Sequence, residues 1–344
     1  MASAAVLTRA TRELVHGRAL STEHAFDAVS ALLTEQAEPV EVTAFLTAMS
    51  AKRATAAELA ATVRVILAAA RPVPWHGPAV DVVGTGGDGS DSVNVSTVAA
   101  LLAAAAGATV AKAGNRAATS RCGSADVLEE LGVPVESIDL VPELLAEHRF
   151  AFLFSPAVHP VIGRLAPVRR RLGFRTLFNL AGPLANPVGL TGRLIGAADR
   201  GDQEVMAEAA AELGYDRTWI AHGHGGLDEL TTSGPNRVLV VDGGTVTETV
   251  LDPAELELCP ATAEDLRGGD TAVNARAARA VLAGAAPAPL LDTCLYNAAV
   301  VLHLADQAPD LPKALDLARR TVADGAATAL LDALARTGPR STGR

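Results

Sequence analysis

Apolar residues in the first part of the chain recur at steps of three and four, which is the period of an amphipathic α-helix. Leu14 and Leu32 belong to this pattern, and Ser21 or Thr22 stands where a helix N-cap is expected. No alternation typical of a strand occurs between about residues 8 and 70. This segment is therefore predicted to be entirely helical.

A stretch rich in proline and glycine, residues 71–78, ends the helical segment and marks a boundary. After it, short apolar runs alternate with helical ones, the order typical of an α/β protein with a parallel sheet. The C-terminal part returns to a helical pattern. Strands are predicted over residues 79–83, 109–111, 150–154 and 218–221, helices over 95–106 and 125–131, and a hairpin over 237–250 around the turn 242–244.

Composition narrows the class of protein. The chain has 344 residues, 49% of them hydrophobic, which is enough for one large core or two modest ones. A net charge of -10 disfavours a nucleic-acid partner, because neutralising phosphates needs clustered Lys and Arg. Residues 92–111 are uncharged but carry amide and hydroxyl side chains, so we expect a buried helix there and no membrane partner.

The N-terminus and the cysteines indicate a cytoplasmic protein. Arg9, Arg12 and Glu13 interrupt the apolar stretch that an export signal requires. The three cysteines are widely spaced without a CxxC pair, which predicts neither disulfides nor a zinc site.

A glycine-rich loop at residues 84–89 follows a predicted strand and precedes a predicted helix. Glycines there let the backbone approach a phosphate, and the helix N-terminus favours an anion. The loop matches neither GxGxxG nor a P-loop, so a simple tight turn is the alternative. Asn94, Ser96 and Thr97, at the start of the next helix, carry an amide and hydroxyls that are able to bind phosphate oxygens or a metal. The alternative is that Ser96 and Thr97 simply cap the helix.

A second polar cluster, residues 112–120, follows the strand predicted at 109–111. Lys112 and Arg116 suit a doubly charged phosphate, and the hydroxyls of Thr119 and Ser120 would complete its shell. The cluster therefore predicts a phosphate cradle, with a solvated basic loop as the alternative.

Two further segments carry candidate chemistry. Asp228 and Glu229 follow an apolar strand and supply the hard oxygen ligands that Mg²⁺ prefers, although adjacent acidic pairs also start helices or face solvent. His222 and His224 suggest a transition-metal site as an alternative. The lack of a third ligand nearby in the sequence disfavours it. Four arginines within residues 169–175 offer a guanidinium group to an aromatic carboxylate, with a solvated face as the alternative.

Taken in order, these segments resemble the anthranilate phosphoribosyltransferase family. The motifs are GTGGD, NVST, KxGNRAxxS followed by GSADVLEELG, RRxLGxRTxFNLxGPLxNP and HGxxGLDELT. The stretches GGDTAVNARAARAVLAG and LYNAAVVL are similar to the C-terminal helices of that family. The likeness runs from near residue 10 to near residue 335.

The resemblance implies transfer of a phosphoribosyl group from phosphoribosyl pyrophosphate to anthranilate with Mg²⁺. The products are N-(5-phosphoribosyl)anthranilate and pyrophosphate, a step of tryptophan biosynthesis. The implied metal ligands are Ser96, Asp228 and Glu229, and the implied anthranilate contacts are Gly84, Asn115 and Arg170, assisted by Arg169. The implied contacts of phosphoribosyl pyrophosphate are Gly84, Gly87, Asp88, Ser92, Asn94, Val95, Ser96, Thr97, Lys112, Gly114, Asn115, Arg116, Ala117, Ala118, Thr119, Ser120 and Ser124.

The implied fold is a small helical N-terminal domain against a larger α/β domain with a mixed, mainly parallel sheet, similar to class III nucleoside phosphorylases. Residues 1–72, completed by about 167–190, would form the helical domain. Residues 78–166 and 191–338 would form the phosphoribosyl-binding domain. A homodimer through the helical domains is expected.

One position departs from the family pattern. Ala113 stands where the family usually has His, near the implied acceptor. The alternatives are therefore a phosphoribosyltransferase for another aromatic acceptor, a pyrimidine nucleoside phosphorylase of the same fold, and a catalytically silent relative.

Overall fold

The computed structural model describes residues 2–34, 36–117 and 121–337. Its N-terminal part is entirely helical, as predicted, and Ser21 is the N-cap of the second helix, where it accepts a hydrogen bond from the backbone N–H of His24. The helices are α1 (Ala2–Val15), α2 (Thr22–Leu32), α3 (Pro39–Lys52) and α4 (Ala56–Ala68).

A seven-stranded sheet forms the centre of the larger part, in the order β3-β2-β1-β4-β5-β6-β7. Its first five members are parallel, whereas β6 and β7 pair antiparallel. The predicted mixed, mainly parallel sheet beside a helical N-terminal part is therefore confirmed. The strands are β1 (Val80–Gly84), β2 (Val110–Gly114), β3 (Phe150–Phe154), β4 (Gly192–Gly196), β5 (Thr218–His222), β6 (Asn236–Asp242) and β7 (Thr245–Leu251).

Helices cover both faces of the sheet. Short 3₁₀ turns occur at Ile138–Leu140 and Pro253–Leu256. The helices are α5 (Val95–Ala105), α6 (Ser124–Glu130), α7 (Val141–His148), α8 (Ser155–Val158), α9 (Pro160–Gly163), α10 (Ala166–Leu172), α11 (Leu177–Leu184), α12 (Arg200–Glu212), α13 (Thr271–Leu282), α14 (Ala288–Leu304), α15 (Leu311–Ala323) and α16 (Ala326–Thr337).

The two faces of the sheet belong to separate hydrophobic clusters, because successive residues of a strand point to opposite sides. Val82 and Leu194 pack with α5 and α14. Ile195 and Ile220 pack with the N-terminal helices, α11 and α12. Helix α11 thus joins the core of the N-terminal helices. Residues of the sheet also belong to this core, so the core does not separate the helical part from the α/β part. The domain boundaries inferred from the sequence therefore stay a prediction.

Helix α5 is uncharged and buried along almost its whole length, which confirms the buried helix expected within residues 92–111. Its neighbours are chiefly α14 on one side and strands β1 and β2 on the other. Among the described residues, no helix combines the length and apolar character needed to cross a membrane.

Two differences from the sequence prediction concern strands. The strand predicted at residues 109–111 continues to Gly114, because Lys112 and its neighbours pair with β3, so Lys112 is a strand residue rather than the first residue of a loop. Strand β4, at the centre of the sheet, is absent from the predicted elements. It is short, begins and ends with glycine and contains Arg193, so no apolar run marks it. A Cβ at Gly192 would lie 2.9 Å from the backbone oxygen of Leu304, which explains the glycine by close packing.

The N-terminal helices depend on one buried carboxylate, that of Glu58. It accepts hydrogen bonds from the backbone N–H of Leu20, the backbone N–H of Thr55 and Lys52 Nζ, each at 2.8 Å. Three parts of the helical segment are therefore joined at a side chain that is 0% exposed.

We expect Glu58→Ala to lower the free energy of unfolding by about 3–5 kcal/mol, because it leaves Lys52 without its counter-charge and the N–H groups of Leu20 and Thr55 without their acceptor. Urea denaturation followed by circular dichroism measures the change. The matched control is Glu13→Ala, which removes a solvent-exposed ion pair with Arg18 and should change stability little. Equal losses in the two variants would contradict this role of Glu58.

Candidate functional site

The candidate site lies at the carboxyl ends of β1, β2 and β5, the edge at which parallel α/β sheets commonly bind ligands. The loop after β1 leads into α5, the loop after β2 leads into α6, and the loop after β5 carries the acidic pair. Hydrogen bonds connect these segments: Gly86 with Asp228, Ser96 with Glu229, and Lys112 with Ser96. The structure thus brings together the glycine-rich loop, the start of α5, Lys112 and the acidic pair.

The glycine-rich loop has a backbone conformation that glycine adopts most easily. Gly86 and Gly87 have φ values of 68° and 75°. The backbone N–H of Gly86 donates to Oδ2 of Asp228 at 2.6 Å. A Cβ at Gly84 would overlap the same carboxylate oxygen. Gly84 is therefore required for the close approach of Asp228, whatever else it contacts.

Asp88 contributes a second carboxylate to this loop. Its Oδ1 accepts hydrogen bonds from the backbone N–H of Ser90 at 3.0 Å and from the Ser90 hydroxyl at 2.9 Å. Its Oδ2 is buried and has no hydrogen-bond partner within the described part of the chain. One oxygen thus shapes the turn and the other is left for a donor or a cation.

Asp228 and Glu229 form an acidic pair with strongly perturbed titration. Burial, followed by the negative charge of Asp88, raises the pKa of Asp228 to about 7. Burial, followed by the charge of Asp228, raises the pKa of Glu229 to about 8, although Lys112 opposes that shift. Both carboxyls therefore stay protonated to near-neutral pH, and a bound cation would favour their ionised forms.

The donor set fits Mg²⁺, which prefers hard oxygen ligands. Asp228, Glu229 and the Ser96 hydroxyl are the available oxygens. Within residues 2–34, 36–117 and 121–337, no three His, Cys, Asp or Glu side chains form a ready-made metal cage, so a cation here would complete its shell from water or substrate. His222 lies nearby in sequence, but its Nδ1 donates to the carbonyl of Ala197 at 2.8 Å.

Lys112 lies underneath the acidic pair. It is 1% exposed, and its Nζ donates to the carbonyl of Val82 at 2.6 Å and to the Ser96 hydroxyl at 3.3 Å. Burial lowers the pKa of Lys112, whereas the charges of Asp81 and Glu229 raise it. Lys112 is therefore a buried counter-charge to the carboxylates and not part of a surface loop.

The start of α5 faces the same carboxylates. The backbone N–H of Ser96 donates to Oε1 of Glu229 at 3.2 Å. The Thr97 hydroxyl is buried and has no hydrogen-bond partner in the described ranges. Asn94 makes no side-chain cap and instead donates to the carbonyl of Cys122 and accepts from Asn274. Ser96 and Thr97, the residues that the alternative takes as helix caps, lie inside α5, and Asn94 holds the N-cap position.

Arg116 of the second cluster is engaged by three carboxylates. Its guanidinium nitrogens lie 3.3 Å from Asp126, 2.7 Å from Glu129 and 2.9 Å from Glu136. Its hydrogen bonds to Glu129 and Glu136 raise the pKa of Arg116. In this conformation Arg116 holds the loop against α6.

Most of the remaining residues predicted to contact phosphoribosyl pyrophosphate bind other parts of the protein in this conformation. The Ser124 hydroxyl donates to the carbonyl of Asn115 at 3.2 Å, and a Cβ at Gly114 would overlap that hydroxyl. The backbone N–H of Ala117 donates to Asp126 at 3.0 Å. Ser92 pairs with the segment before α13 through a single β-bridge, and Val95 is buried. Ala118, Thr119 and Ser120 lie outside the described residues.

Two arginines of α10 differ in their surroundings. Arg170 is exposed. Arg169 is half-buried, its Nη2 donates to Oδ1 of Asn179 at 3.2 Å, and its guanidinium carbon lies 5.6 Å from the centroid of the Phe178 ring. Burial lowers the pKa of Arg169. Among the described contacts, no hydrogen bond or ion pair joins either arginine to Gly84 or Asn115.

The structure adds Asp81, which the sequence analysis does not single out as a site residue. It is 1% exposed, its Oδ2 accepts from Asn186 Nδ2 at 2.9 Å, and its Oδ1 accepts from the backbone N–H of Ala113 at 3.2 Å. Burial raises the pKa of Asp81, and the charge of Lys112 opposes the shift. An acidic residue inside an apolar strand was the available signal.

Arg175 is a second addition. Its Cδ lies 3.2 Å from where a Cβ of Gly87 would be, so it borders the glycine-rich loop. One nitrogen pairs with Asp202 at 3.3 Å, whereas Nε and Nη2 are buried without a hydrogen-bond partner in the described part of the chain. These donors are suited to an anion at the loop. In the sequence, Arg175 is only the last of a run of arginines.

Comparisons with known proteins show the family to which the chain belongs. The model described as "Glycosyl transferase family, helical bundle domain" matches residues 8–70, and "Glycosyl transferase family, a/b domain" matches residues 76–328. The anthranilate phosphoribosyltransferase of Roseiflexus sp. (strain RS-1) is 45% identical over 324 residues, which are 94% of this chain and 95% of that protein. The chain belongs to the anthranilate phosphoribosyltransferase family.

Solved structures of this family share the fold. The anthranilate phosphoribosyltransferase of Thermus thermophilus matches with a TM-score of 0.86 and 40% identity, covering 95% of this chain and 99% of that one. The Saccharomyces cerevisiae protein in complex with PRPP and Mg matches with a TM-score of 0.86 and 28% identity over 96% and 97% of the two chains. Its complex with 4-fluoroanthranilate matches with a TM-score of 0.85 and 26% identity over 97% and 98%.

We expect Gly84→Ala to displace the carboxylate of Asp228 and weaken Mg²⁺-dependent binding of phosphoribosyl pyrophosphate by about tenfold or more. Isothermal titration calorimetry measures the affinity. Gly163→Ala is the matched control, because a Cβ at Gly163 meets nothing within 4 Å. Unchanged affinity in the Gly84 variant would show that the loop tolerates a side chain at this position.

The raised pKa values of the acidic pair predict a pH-dependent stability. In metal-free protein the folded state keeps these carboxyls protonated up to about pH 7 to 8, whereas the unfolded chain loses the protons near 4. The folded state thus binds more protons across this window, and stability falls as pH rises through it.

The double variant Asp228→Asn with Glu229→Gln should therefore be more stable than the wild type at pH 8 in EDTA, and the difference should shrink towards pH 5. Thermal unfolding across this pH range measures the effect. The variant should also lose the stabilisation that Mg²⁺ with phosphoribosyl pyrophosphate gives the wild type. A variant less stable than wild type at pH 8 would make the pair structural.

Proposed function

We propose that this chain transfers the phosphoribosyl group of phosphoribosyl pyrophosphate to the amine of anthranilate, a step of tryptophan biosynthesis. The observation that carries the proposal is the buried pair of Asp228 and Glu229, which faces Lys112 and the start of α5 above a glycine-rich loop. The proposal is supported by relatives that are named for this activity, one of which has a structure in complex with PRPP and Mg.

For the phosphoribosyl donor we propose the glycine-rich loop, the first turn of α5 and the second polar cluster. The positive end of the α5 dipole favours the pyrophosphate, and the Ser96 N–H would have to leave Glu229 to bind it. The unpartnered nitrogens of Arg175 and the hydroxyl of Thr97 add donors at the same loop. Arg116 would have to exchange at least one of its carboxylate partners to reach the donor.

For the cation we propose Mg²⁺ held by Asp228, Glu229 and Ser96. The raised pKa values support this assignment, because burial and a nearby negative charge, that of Asp88 on Asp228 and that of Asp228 on Glu229, favour the protonated forms. A bound cation would favour the ionised forms instead. Bound Mg²⁺ would supply positive charge to the pyrophosphate as it leaves. Lys112, fixed by Val82 and Ser96, adds a second positive charge below the carboxylates.

The chemistry needs positioning more than proton transfer. The aromatic amine of anthranilate is neutral at pH 7, so no strong general base is needed before it attacks C1 of the ribose. The ribosyl carbon gains cationic character and inverts as its bond to the pyrophosphate oxygen breaks, and the attacking nitrogen then releases one proton to solvent. The N–H groups of the loop and the positive charge of Lys112 stabilise the departing pyrophosphate. No residue of this chain acts as a nucleophile in this scheme.

For the acceptor we propose Gly84, Asn115 and an arginine of α10. The half-buried position of Arg169 favours it over the exposed Arg170, because a desolvated guanidinium pairs more strongly with a carboxylate. Ala113 leaves this side without the imidazole usual in the family. The backbone of Ala113 is fixed by Asp81, so the position itself is well defined.

We also propose a cytoplasmic homodimer. Val15, Phe26 and Val40 on the first three helices are 69%, 40% and 74% exposed, which supports an interface on the helical part. The three cysteines are free, in keeping with a reducing compartment.

The experiment is loss of anthranilate fluorescence when the purified protein is mixed with phosphoribosyl pyrophosphate and Mg²⁺. We expect loss that requires all three components, is abolished by EDTA, and falls at least about a hundredfold in rate in the Asp228→Asn, Glu229→Gln variant. An unchanged rate in that variant would remove the pair from the mechanism.

The absence of an imidazole at Ala113 favours one second candidate, a phosphoribosyltransferase for another aromatic acceptor. Release of pyrophosphate with other aromatic amines, but not with anthranilate, would identify it. Arsenate-dependent cleavage of pyrimidine nucleosides would instead identify a nucleoside phosphorylase. Donor binding without turnover on any acceptor would identify a catalytically silent relative.

A further inference from the structure

A cavity of about 430 Å³ lies at the other end of the central strands, away from the glycine-rich loop. It is bounded by the end of α4, the segment that follows α4 and the turn between α11 and β4. Leu67, Pro72 and Val188 give it apolar walls, and Tyr215 and Arg193 form its inner side. The cavity therefore combines an apolar surface with a buried cation.

Arg193 is the unusual feature of this cavity. Its residue is 6% exposed, and its Nε is buried without a hydrogen-bond partner. Across the described ranges, no hydrogen bond or ion pair of its guanidinium occurs. Its guanidinium carbon lies 3.8 Å from the centroid of the Tyr215 ring, a cation–π contact that leaves the N–H donors in the plane of the group free.

The neighbouring polar groups do not satisfy Arg193. Asp81 is its register partner on β1, but both carboxylate oxygens of Asp81 accept from Asn186 and Ala113. Asn186 lines the cavity, yet its amide donates to Asp81 and to the carbonyl of Ala111. Burial lowers the pKa of Arg193, but a guanidinium stays charged in proteins. An unpaired positive charge thus remains at the cavity.

A buried charge without a partner is costly, so its retention points to an anionic ligand. The volume is larger than an inorganic anion needs and within the range of sites for small organic molecules. The apolar walls would contact the body of such a molecule. Arg71 at the rim adds positive charge, although its guanidinium pairs with the exposed Asp139 at 2.6 Å.

We propose that this cavity is a second ligand site that binds a small organic carboxylate with an apolar body. The carboxylate would accept hydrogen bonds from Arg193, and the body would lie against Pro72 and Val188. The site is separate from the one proposed for the reaction. Arg193 pairs in register with Asp81, whereas Gly196 pairs with Gly84, which at the rise of a strand is about 10 Å further along.

The test is isothermal titration of the whole protein with cyclohexanecarboxylate, a carboxylate that lacks the aromatic amine. We expect saturable binding to wild type and at least about tenfold weaker binding to Arg193→Met. This substitution removes an unpaired buried charge and should not lower the melting temperature. Gly189→Leu, which adds a side chain at the cavity wall, should weaken binding in the same way even if Arg193→Met does not fold.

The matched control is Arg169→Gln, which alters the arginine proposed for the acceptor and should leave this binding unchanged. Binding lost in Arg169→Gln but retained in Arg193→Met would place the carboxylate in the acceptor site and overturn the proposal. Equal affinity in wild type, Arg193→Met and Gly189→Leu would also overturn it. Tighter, Arg193-dependent binding of inorganic phosphate would overturn the assignment to a carboxylate.

Discussion

The site depends on the burial of two adjacent acidic groups, Asp228 and Glu229, which raises the pKa of both into the neutral range. Lys112 is the buried cation that keeps this arrangement tolerable, and its own position in the sheet is fixed by Val82 and Ser96. The surrounding backbone is shaped to the same pair. Glycine at 84 and 196 leaves space for the side chain and the backbone of Asp228. The same residues at the carboxyl ends of β1 and β4 therefore shape both the packing of the sheet and the candidate site.

This arrangement explains why the protein provides an incomplete shell for a cation. Described side chains supply the carboxylates of Asp228 and Glu229 and the hydroxyl of Ser96. Asp88 is a third carboxylate, and its Oδ2 has no hydrogen-bond partner among the described residues. Mg²⁺ keeps several waters and is usually shared with substrate phosphates. In the proposed function, the cation and the phosphoribosyl donor would therefore complete the site together.

Much of the fold could be predicted because its signals are local. Strand β3 is an apolar run of five residues, and the hairpin of β6 and β7 turns at Gly243 and Gly244, whose φ values are positive. Strand β4 could not be predicted, because its two glycines and Arg193 leave only two apolar residues, too few for an apolar run. It pairs with β5, the next strand along the chain, and with β1, which lies far away in sequence.

The site was predictable as a set of segments, but not as a set of contacts. Motif order identified the glycine-rich loop, the start of α5 and the acidic pair. The burial of Lys112 and the three carboxylates around Arg116 depend on packing between segments. The same holds for Asp81 and Arg175. Nothing local distinguishes Arg169 from Arg170, which differ only in the side of a short helix on which they lie.

Helix α5 carries a consequence for synthesis of the chain. It is apolar on every side, and its cover includes α14, which is translated much later. A nascent chain that has emerged only as far as the hairpin exposes the outer face of α5 to water. Until residues 288–304 leave the ribosome, this segment is a natural target for chaperones and for association with other unfinished chains. The sheet without α14 is thus an aggregation-prone stage in the synthesis of the protein.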